Sequence, residues 1–499
     1  MDRKTLYFFL ALFALTLLFK AYYLDKVPFQ FDETMYAEMI SEEAENITFL
    51  PTYLGLWAPW KPGLYFIAYS LFLPITSQLF TSLEWIYRSP NLLFGALNAF
   101  LFFLIAKRFL KEETAMAAAL LFYSSWASIY VETRLLMEVF MLTTILLSLL
   151  FYTDKKMPNL QRFGCAALFA FAAALTKCVI ALMIIPLAIA FVFQNDRKNL
   201  LNPVFLVSLL APVAGILLFA FTLSQIGMME GILFRDTGKF FVYDYGQKTL
   251  ESLLIGIGFL LAFSALYIVM AWRKLLSSWK TELFFSSWFF LFLVLAFSGE
   301  PHPWYFVYII PPVCFFAASS MEEKGKFDNF SKFLLATIVL FSFAMVIIAG
   351  PTPDATKAIY EGKEIGFNLS GKENVLFVGR YYPLATAVSY KTLSERHAKG
   401  EFLDFGYVIY QGTYEEDFGD QQDPPAPEVI NAVISDYNTS IYPFHTEFAP
   451  IFYTYGAFRK ETGIEEFDYL VVSPPNTTIE SQEYSLEFNG TKTAVYKRK

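Results

Sequence analysis

Residues 5–24 read TLYFFLALFALTLLFKAYYL, and residues 27–46 read VPFQFDETMYAEMISEEAEN. The first run follows Arg3 and Lys4 and is long enough to cross a bilayer, which takes about 20 residues. No small-residue cleavage site follows it, so a retained signal anchor is expected. The second run places Asp32 and Glu33 just beyond the membrane edge. Behind them Tyr36, Met39 and Ile40 alternate with Glu38, Glu42 and Glu43, the pattern of an amphipathic helix at the interface. Asp32 or Glu33 could equally cap that helix.

The rest of the chain extends this reading. Of 499 residues, 56% are hydrophobic, 19% aromatic and only 17% charged. That composition excludes a disordered chain, a disulfide scaffold and an ordinary soluble enzyme over most of the length. Further apolar stretches lie near 88–108, 114–131, 136–152, 162–176, 178–194, 202–222, 250–272, 281–298, 303–320 and 330–350. The expectation is a polytopic α-helical membrane protein of about 11 spans. Basic residues cluster in alternate loops, at Arg3/Lys4, Lys107/Arg108/Lys111, Lys155/Lys156/Arg162, Arg197/Lys198, Arg273/Lys274/Lys280 and Lys324/Lys326/Lys332. The positive-inside rule makes those loops cytoplasmic, with the N-terminus, and puts the C-terminal tail outside. Residues 62–80 are apolar as well, but a span there would reverse every later loop, and Pro74 interrupts it. They are expected to lie along the outer interface.

The tail changes character after Gly350-Pro-Thr-Pro. Residues 351–499 carry 13 Lys and Arg against 22 Asp and Glu, so the net charge of −8 is concentrated there. Short β-type runs occur at 374–379, 405–410, 467–473, 484–488 and 493–496, with helix-like stretches near 383–392 and 427–437. This predicts a small extracytoplasmic α/β domain over 351–499, beside a membrane domain over 1–350 whose first outer loop is 25–87. Sequons at Asn46, Asn368, Asn438, Asn476 and Asn489 fall on the same outer side, and one at Asn329 does not. Cys165, Cys178 and Cys314 sit in apolar stretches and suggest neither a disulfide framework nor a metal cluster.

Ionisable residues also gather at the outer ends of the spans: Lys61, Arg88, Glu132, Arg134, Glu138, Lys177 and His302. Such groups beside apolar segments are costly, so they are paired or functional. Any one of them reads as a snorkelling side chain or a salt bridge. A collection of acids and bases on one face suits an anionic lipid headgroup and an acid–base reaction. There is no Ser-His-Asp set, phosphate-binding glycine loop, or Cys/His metal spacing.

FDETMYAE at 31–38 is similar to the first-loop Asp-Glu motif of the integral-membrane C-type glycosyltransferases. That superfamily includes dolichyl-phosphate-mannose–protein mannosyltransferases and bacterial lipid A aminoarabinose transferases. KPGLY at 61–65, RSPNLLFGAL at 88–97, RLLMEVFML at 134–142, LTK at 175–177 and HPWYFVYIIPP at 302–312 resemble its later motifs in order. Met35, Glu138, Cys178-Val179 and Tyr308 depart from the family's usual residues. YDYG at 243–246 resembles an oligosaccharyltransferase motif but lies between spans.

The resemblance implies a C-type glycosyltransferase fold and an inverting transfer of a sugar from a polyprenyl- or dolichyl-phosphate donor. The acceptor would be a hydroxyl of a protein Ser/Thr or a glycolipid, on the extracytoplasmic face. Asp32 would be the base, with Glu33 positioning the acceptor or tuning Asp32. Lys61 and Lys239, with Arg235 behind them, would clamp the lipid phosphate. Arg134 and Glu138 would form an ion pair on the cavity floor, and Arg88, Lys177, His302 and Tyr305 would line the pocket. A divalent metal ion is left open as a cofactor. Two other classes stand beside this one. A flippase for a lipid-linked sugar needs a charged path near the bilayer middle, and a non-catalytic receptor leaves Asp32 and Lys61 unexplained.

Overall fold

A computed structural model describes residues 2–53, 56–57, 61–225, 267–297, 303–322, 328–348, 353–372, 375–379, 381–399, 468–473, 484–490 and 493–499. Helix α1 (Arg3–Tyr23) starts where the Asp2 carboxylate accepts the Thr5 amide at 2.7 Å. Helix α2 (Phe31–Glu45) follows, then a two-residue hairpin of β1 (Thr52–Tyr53) and β2 (Leu56–Trp57). Residues 62–80 fold as two short helices, α3 (Leu64–Ser70) and α4 (Leu73–Leu79). Each rises about 10 Å, too little to span. Leu71, Ile75 and Leu79 turn outward from them.

The bundle continues with α5 (Leu83–Ala106), α6 (Glu112–Ser124), α7 (Trp126–Glu132), α8 (Glu138–Thr153) and α9 (Asn159–Ala174). After it come α10 (Cys178–Ala181), α11 (Ile184–Asn195), α12 (Pro203–Ser208), α13 (Ala211–Gln225), α14 (Leu283–Phe297), α15 (Ile310–Met321) and α16 (Asn329–Ile348). By length and apolarity α1, α5, α10 with α11, α12 with α13, and α16 are each able to cross a membrane. Helices α6 and α7 pass the same test together across a 55° bend. The stretch expected at 250–272 lies mostly outside the described residues.

Packing inside the bundle is aromatic and alanine-rich. Phe285 stacks on Phe315, and the Trp288 indole donates to the Tyr308 carbonyl at 2.9 Å. Small residues on α6 (Ala115, Ala117 and Ala118) are fully buried, which lets neighbouring helices approach closely. Large apolar side chains such as Tyr7, Leu18, Leu93, Phe100, Leu217 and Phe341 face outward, where lipid would lie. The C-terminal end of α5 and its neighbours are fastened by ion pairs, Arg108–Asp154 at 3.1 Å and buried Arg162–Asp196 at 2.5 Å. The N-terminal end of α5 meets α2.

Beyond the bundle lie α17 (Pro353–Asn368), β3 (Val375–Gly379), α18 (Tyr381–Lys399), β4 (Tyr469–Ser473), β5 (Tyr484–Asn489) and β6 (Ala494–Arg498). The sheet order is β3-β4-β6-β5. β3 runs parallel to β4 with Val375 opposite Tyr469, and the other pairs are antiparallel. Helix α17 begins at Pro353, whose fixed φ suits a first turn. The β-type run at 405–410 and the helix-like stretch near 427–437 lie outside the described residues.

These tail elements share one apolar cluster with residues 29–87. It joins Phe29, Met35, Tyr36 and Met39 to Tyr65, Tyr69 and Tyr87, and to Val388, Tyr390, Leu393 and Tyr469. Helix α2 is therefore not an interfacial helix with a solvated acidic face. Glu38, Glu42 and Glu43 are buried along with its apolar side: Arg396 of α18 covers Glu38 and Glu42, and Thr48 bonds Glu43.

Candidate active site

Helix α2 opens with a capping box. The Gln30 side chain meets the Glu33 amide, and the Glu33 carboxylate accepts the Gln30 N–H at 2.9 Å. Glu33 Oε1 also accepts Arg88 Nε and the Leu135 amide, each at 2.7 Å, and Oε2 accepts Arg88 Nη2 at 2.9 Å. Arg134 Nη1 stands 3.7 Å from the same carboxylate. Glu33 is thus buried and fully engaged, and it ties α2 to α5 and to the turn after α7.

Arg88 completes the tie. Its remaining N–H groups donate to the carbonyls of Leu24, Val27 and Pro28. Fully buried, it holds the loop between α1 and α2. The expected Arg134–Glu138 pair is replaced by two others, Arg134 with Glu33 and Glu138 with Lys177, the latter at 2.6 Å. The reason is local. Residues 133–137 form a turn before α8 begins at Glu138, so the spacing of four does not stack the two side chains as it would within a helix.

Asp32 is different. Capping falls to Gln30 and Glu33, and among the described residues no partner lies within hydrogen-bond or ion-pair distance of the Asp32 carboxylate. The side chain is half-buried. Burial raises its pKa above the usual carboxylate value, Lys61 and Lys177 oppose the rise, and Glu138 and Glu33 add to it. A carboxylate with a raised pKa and no fixed partner is suited to accepting a proton.

The cations that face it are built in. Helix α9 ends at Ala174, and Lys177 is extended before α10. Its ammonium pairs with Glu138 and lies 4.6 Å from the Tyr305 ring centroid. The Leu64 amide donates to the Leu175 carbonyl at 3.3 Å, which brings the Lys61 segment beside the break. A Cβ at Gly63 would sit 2.3 Å from the Phe49 carbonyl oxygen, so the close approach there requires glycine. Lys61 is half-buried and has no carboxylate within ion-pair distance among the described residues.

Asp32, Glu33, Lys61, Arg88, Arg134, Glu138, Lys177 and Tyr305 thus lie at the end of the bundle where α2 meets α5. Lys239, Arg235 and His302 lie outside the described residues. Among the described residues no group of three or more His, Cys, Asp or Glu is placed to hold a metal ion. The sequence reading overlooked Lys20, whose ammonium is buried within α1, 2.6 Å from Glu132 and 3.4 Å from the Tyr123 ring centroid. A lysine inside an apolar span was the available signal. Asn91, which donates to the Arg134 carbonyl and accepts from the Tyr69 hydroxyl, carried no comparable signal.

Comparison with known proteins agrees with this architecture. Residues 62–223 match the family described as dolichyl-phosphate-mannose-protein mannosyltransferase. The fold is similar to ArnT from Cupriavidus metallidurans bound to undecaprenyl phosphate, with a TM-score of 0.67 and 14% identity, covering 98% of this chain and 97% of that one. The apo state of that protein matches at a TM-score of 0.64 and 14% identity, with the same coverage. The archaeal oligosaccharyltransferase AglB from Archaeoglobus fulgidus, in complex with an inhibitory peptide and a dolichol-phosphate, matches at 0.51 and 11% identity. That match covers 95% of this chain and 70% of AglB. A search of curated protein sequences finds no significant match. The family match is confined to residues 62–223, and the likeness of fold to ArnT extends over nearly the whole chain.

Proposed function

We propose that the protein transfers a sugar, with inversion, from a polyprenyl- or dolichyl-phosphate donor to a hydroxyl of a protein or glycolipid at the extracytoplasmic face. The observation that carries the reading is the contrast at the start of α2. Glu33 is wholly committed to Arg88, Leu135 and Gln30, while the adjacent Asp32 carboxylate is uncommitted among the described residues and faces Lys61 and Lys177. The donor class is carried over from the relatives whose structures contain undecaprenyl phosphate or a dolichol-phosphate.

In this mechanism the acceptor oxygen attacks the anomeric carbon from the face opposite the phosphate. Asp32 takes the hydroxyl proton as the new C–O bond forms. The bond from the sugar to the lipid phosphate breaks, and its electron pair stays on the phosphate oxygen. Lys61, together with Lys239 and Arg235, stabilises that charge. Arg88 and Glu33 hold the loop still, and the Lys177–Glu138 pair shapes the cavity wall beneath Tyr305. We assign the N-terminus to the cytoplasm, about eleven spans to residues 1–350, and the tail 351–499 to the outer side.

The test uses purified enzyme and a panel of polyprenyl-phosphate sugars. Asp32→Asn keeps the size of the side chain but cannot accept the proton. Transfer is expected to fall by about 10²–10⁴-fold with donor binding retained. Near wild-type turnover in a folded Asp32→Asn enzyme would remove Asp32 from the chemistry.

A further inference from the structure

Helix α18 crosses α2 and presents a buried arginine to it. Glu38, Glu42 and Glu45 form one stripe of α2, at helical spacings of four and three. The Arg396 guanidinium reaches all three, with Nη1 2.6 Å from Glu45, Nη2 3.2 Å from Glu42 and Nε 3.4 Å from Glu38. Earlier on α18, the Tyr390 hydroxyl accepts the Phe29 N–H at 2.7 Å and donates to Glu84 of α5 at 2.6 Å. The two contacts bracket the start of α2, one just before its first turn and one beyond its middle.

We propose that Arg396 and Tyr390 are positioning residues for sugar transfer: the tail, through them, fixes the register of α2 and hence the place of the Asp32 carboxylate. This inference rests on the assignment of Asp32 as base. Asp32 has no bond of its own to hold it among the described residues, so its position is inherited from its helix. Glu33 and Arg88 anchor only the first turn. The Ser41 and Tyr87 hydroxyls, 2.6 Å apart, tie the middle of α2 to α5, and the Arg396 grip adds a charged hold that extends to the last turn of α2. Directional bonds fix register where apolar contact alone permits sliding. The lever itself is stiff. A Cβ at Gly366 of α17 would lie 2.5 Å from the Ala387 carbonyl oxygen, so α17 and α18 touch almost backbone to backbone.

The experiment compares full-length Arg396→Gln, Arg396→Lys, Tyr390→Phe and Asp32→Asn, using a polyprenyl-phosphate sugar as donor. Turnover, donor KM and amide exchange over residues 29–45 are measured. Arg396→Gln and Tyr390→Phe are expected to lower kcat by about 10–100-fold, as a displacement near 1 Å does. The donor KM should stay within about two-fold of wild type. Exchange over 29–45 should quicken in both, and Arg396→Lys, which keeps the charge without the fork, should recover part of kcat. Folded Arg396→Gln and Tyr390→Phe enzymes with normal kcat, or with unchanged exchange over 29–45, would overturn the proposal. If Asp32→Asn itself turns over normally, the base assignment is what fails, and exchange over 29–45 alone then decides whether α18 holds α2.

Discussion

At the first turn of α2, two adjacent carboxylates occupy different environments, and the difference is testable. Glu33 is the buried counter-ion of Arg88. Glu33→Gln would leave that guanidinium without its charge partner, and breaking one side of a buried pair costs roughly 3–5 kcal/mol. The variant is expected to melt earlier and give less folded protein, whereas Asp32→Asn should melt as wild type does. Equal melting of the two variants would mean that Glu33 is not structural. Gly95 is a second such position, since a Cβ there would lie 1.9 Å from the Glu132 carboxylate that pairs with Lys20. Gly95→Ala should therefore lower the melting temperature in detergent, and an unchanged value would show that Glu132 can move aside freely. The FDETMYAE motif made both acids legible as candidates. Their division of labour was not legible, because glutamine is a poor cap by type and Gln30 gave no sign that it would leave Asp32 unneeded for capping.

Between elements, the contact of α2 with α18 should respond to pH. Burial pushes the Glu38 carboxyl up to about 8, Arg396 opposes the shift, and Glu42, Glu45 and Glu395 reinforce it. The folded protein therefore holds a proton that the unfolded chain releases near pH 4.3. The stabilisation is complete below that unfolded value and is lost as pH rises through the folded one. Melting temperature should fall between about pH 4.3 and pH 8, and Glu38→Gln should flatten that slope. An identical slope in the variant would place the titration elsewhere. The strands of the tail were readable from their short apolar runs, and β3, β4, β5 and β6 appear where those runs lie. The cover on α2 was not readable. Its acidic stripe looks like a solvated face until Arg396, more than three hundred residues later in the chain, is folded onto it.

Over the whole molecule, local pattern and distant contact divide the work in the same way. Apolar length marked helices of the bundle, and ordered motifs singled out Asp32, Lys61 and Lys177, which lie at one end of it. The partners of Arg134 and Glu138, by contrast, depended on how a five-residue turn is shaped. Charge placement also makes a prediction about sidedness. The ends marked by Lys107, Arg108 and Arg162 should face the cytoplasm, with α2, α18 and the sheet opposite. The native cysteines offer low background for a thiol probe, since Cys314 is buried and Cys165 and Cys178 are partly buried in helices that line the bundle. Leu486 on β5 is 52% exposed, and Lys155 lies in the short turn between α8 and α9. A membrane-impermeant maleimide should label Leu486→Cys in intact cells, and Lys155→Cys only after the membrane is opened. The reverse pattern would invert the bundle. It would also put Asp32 and its cations on the cytoplasmic face, where the proposed extracytoplasmic transfer could not take place.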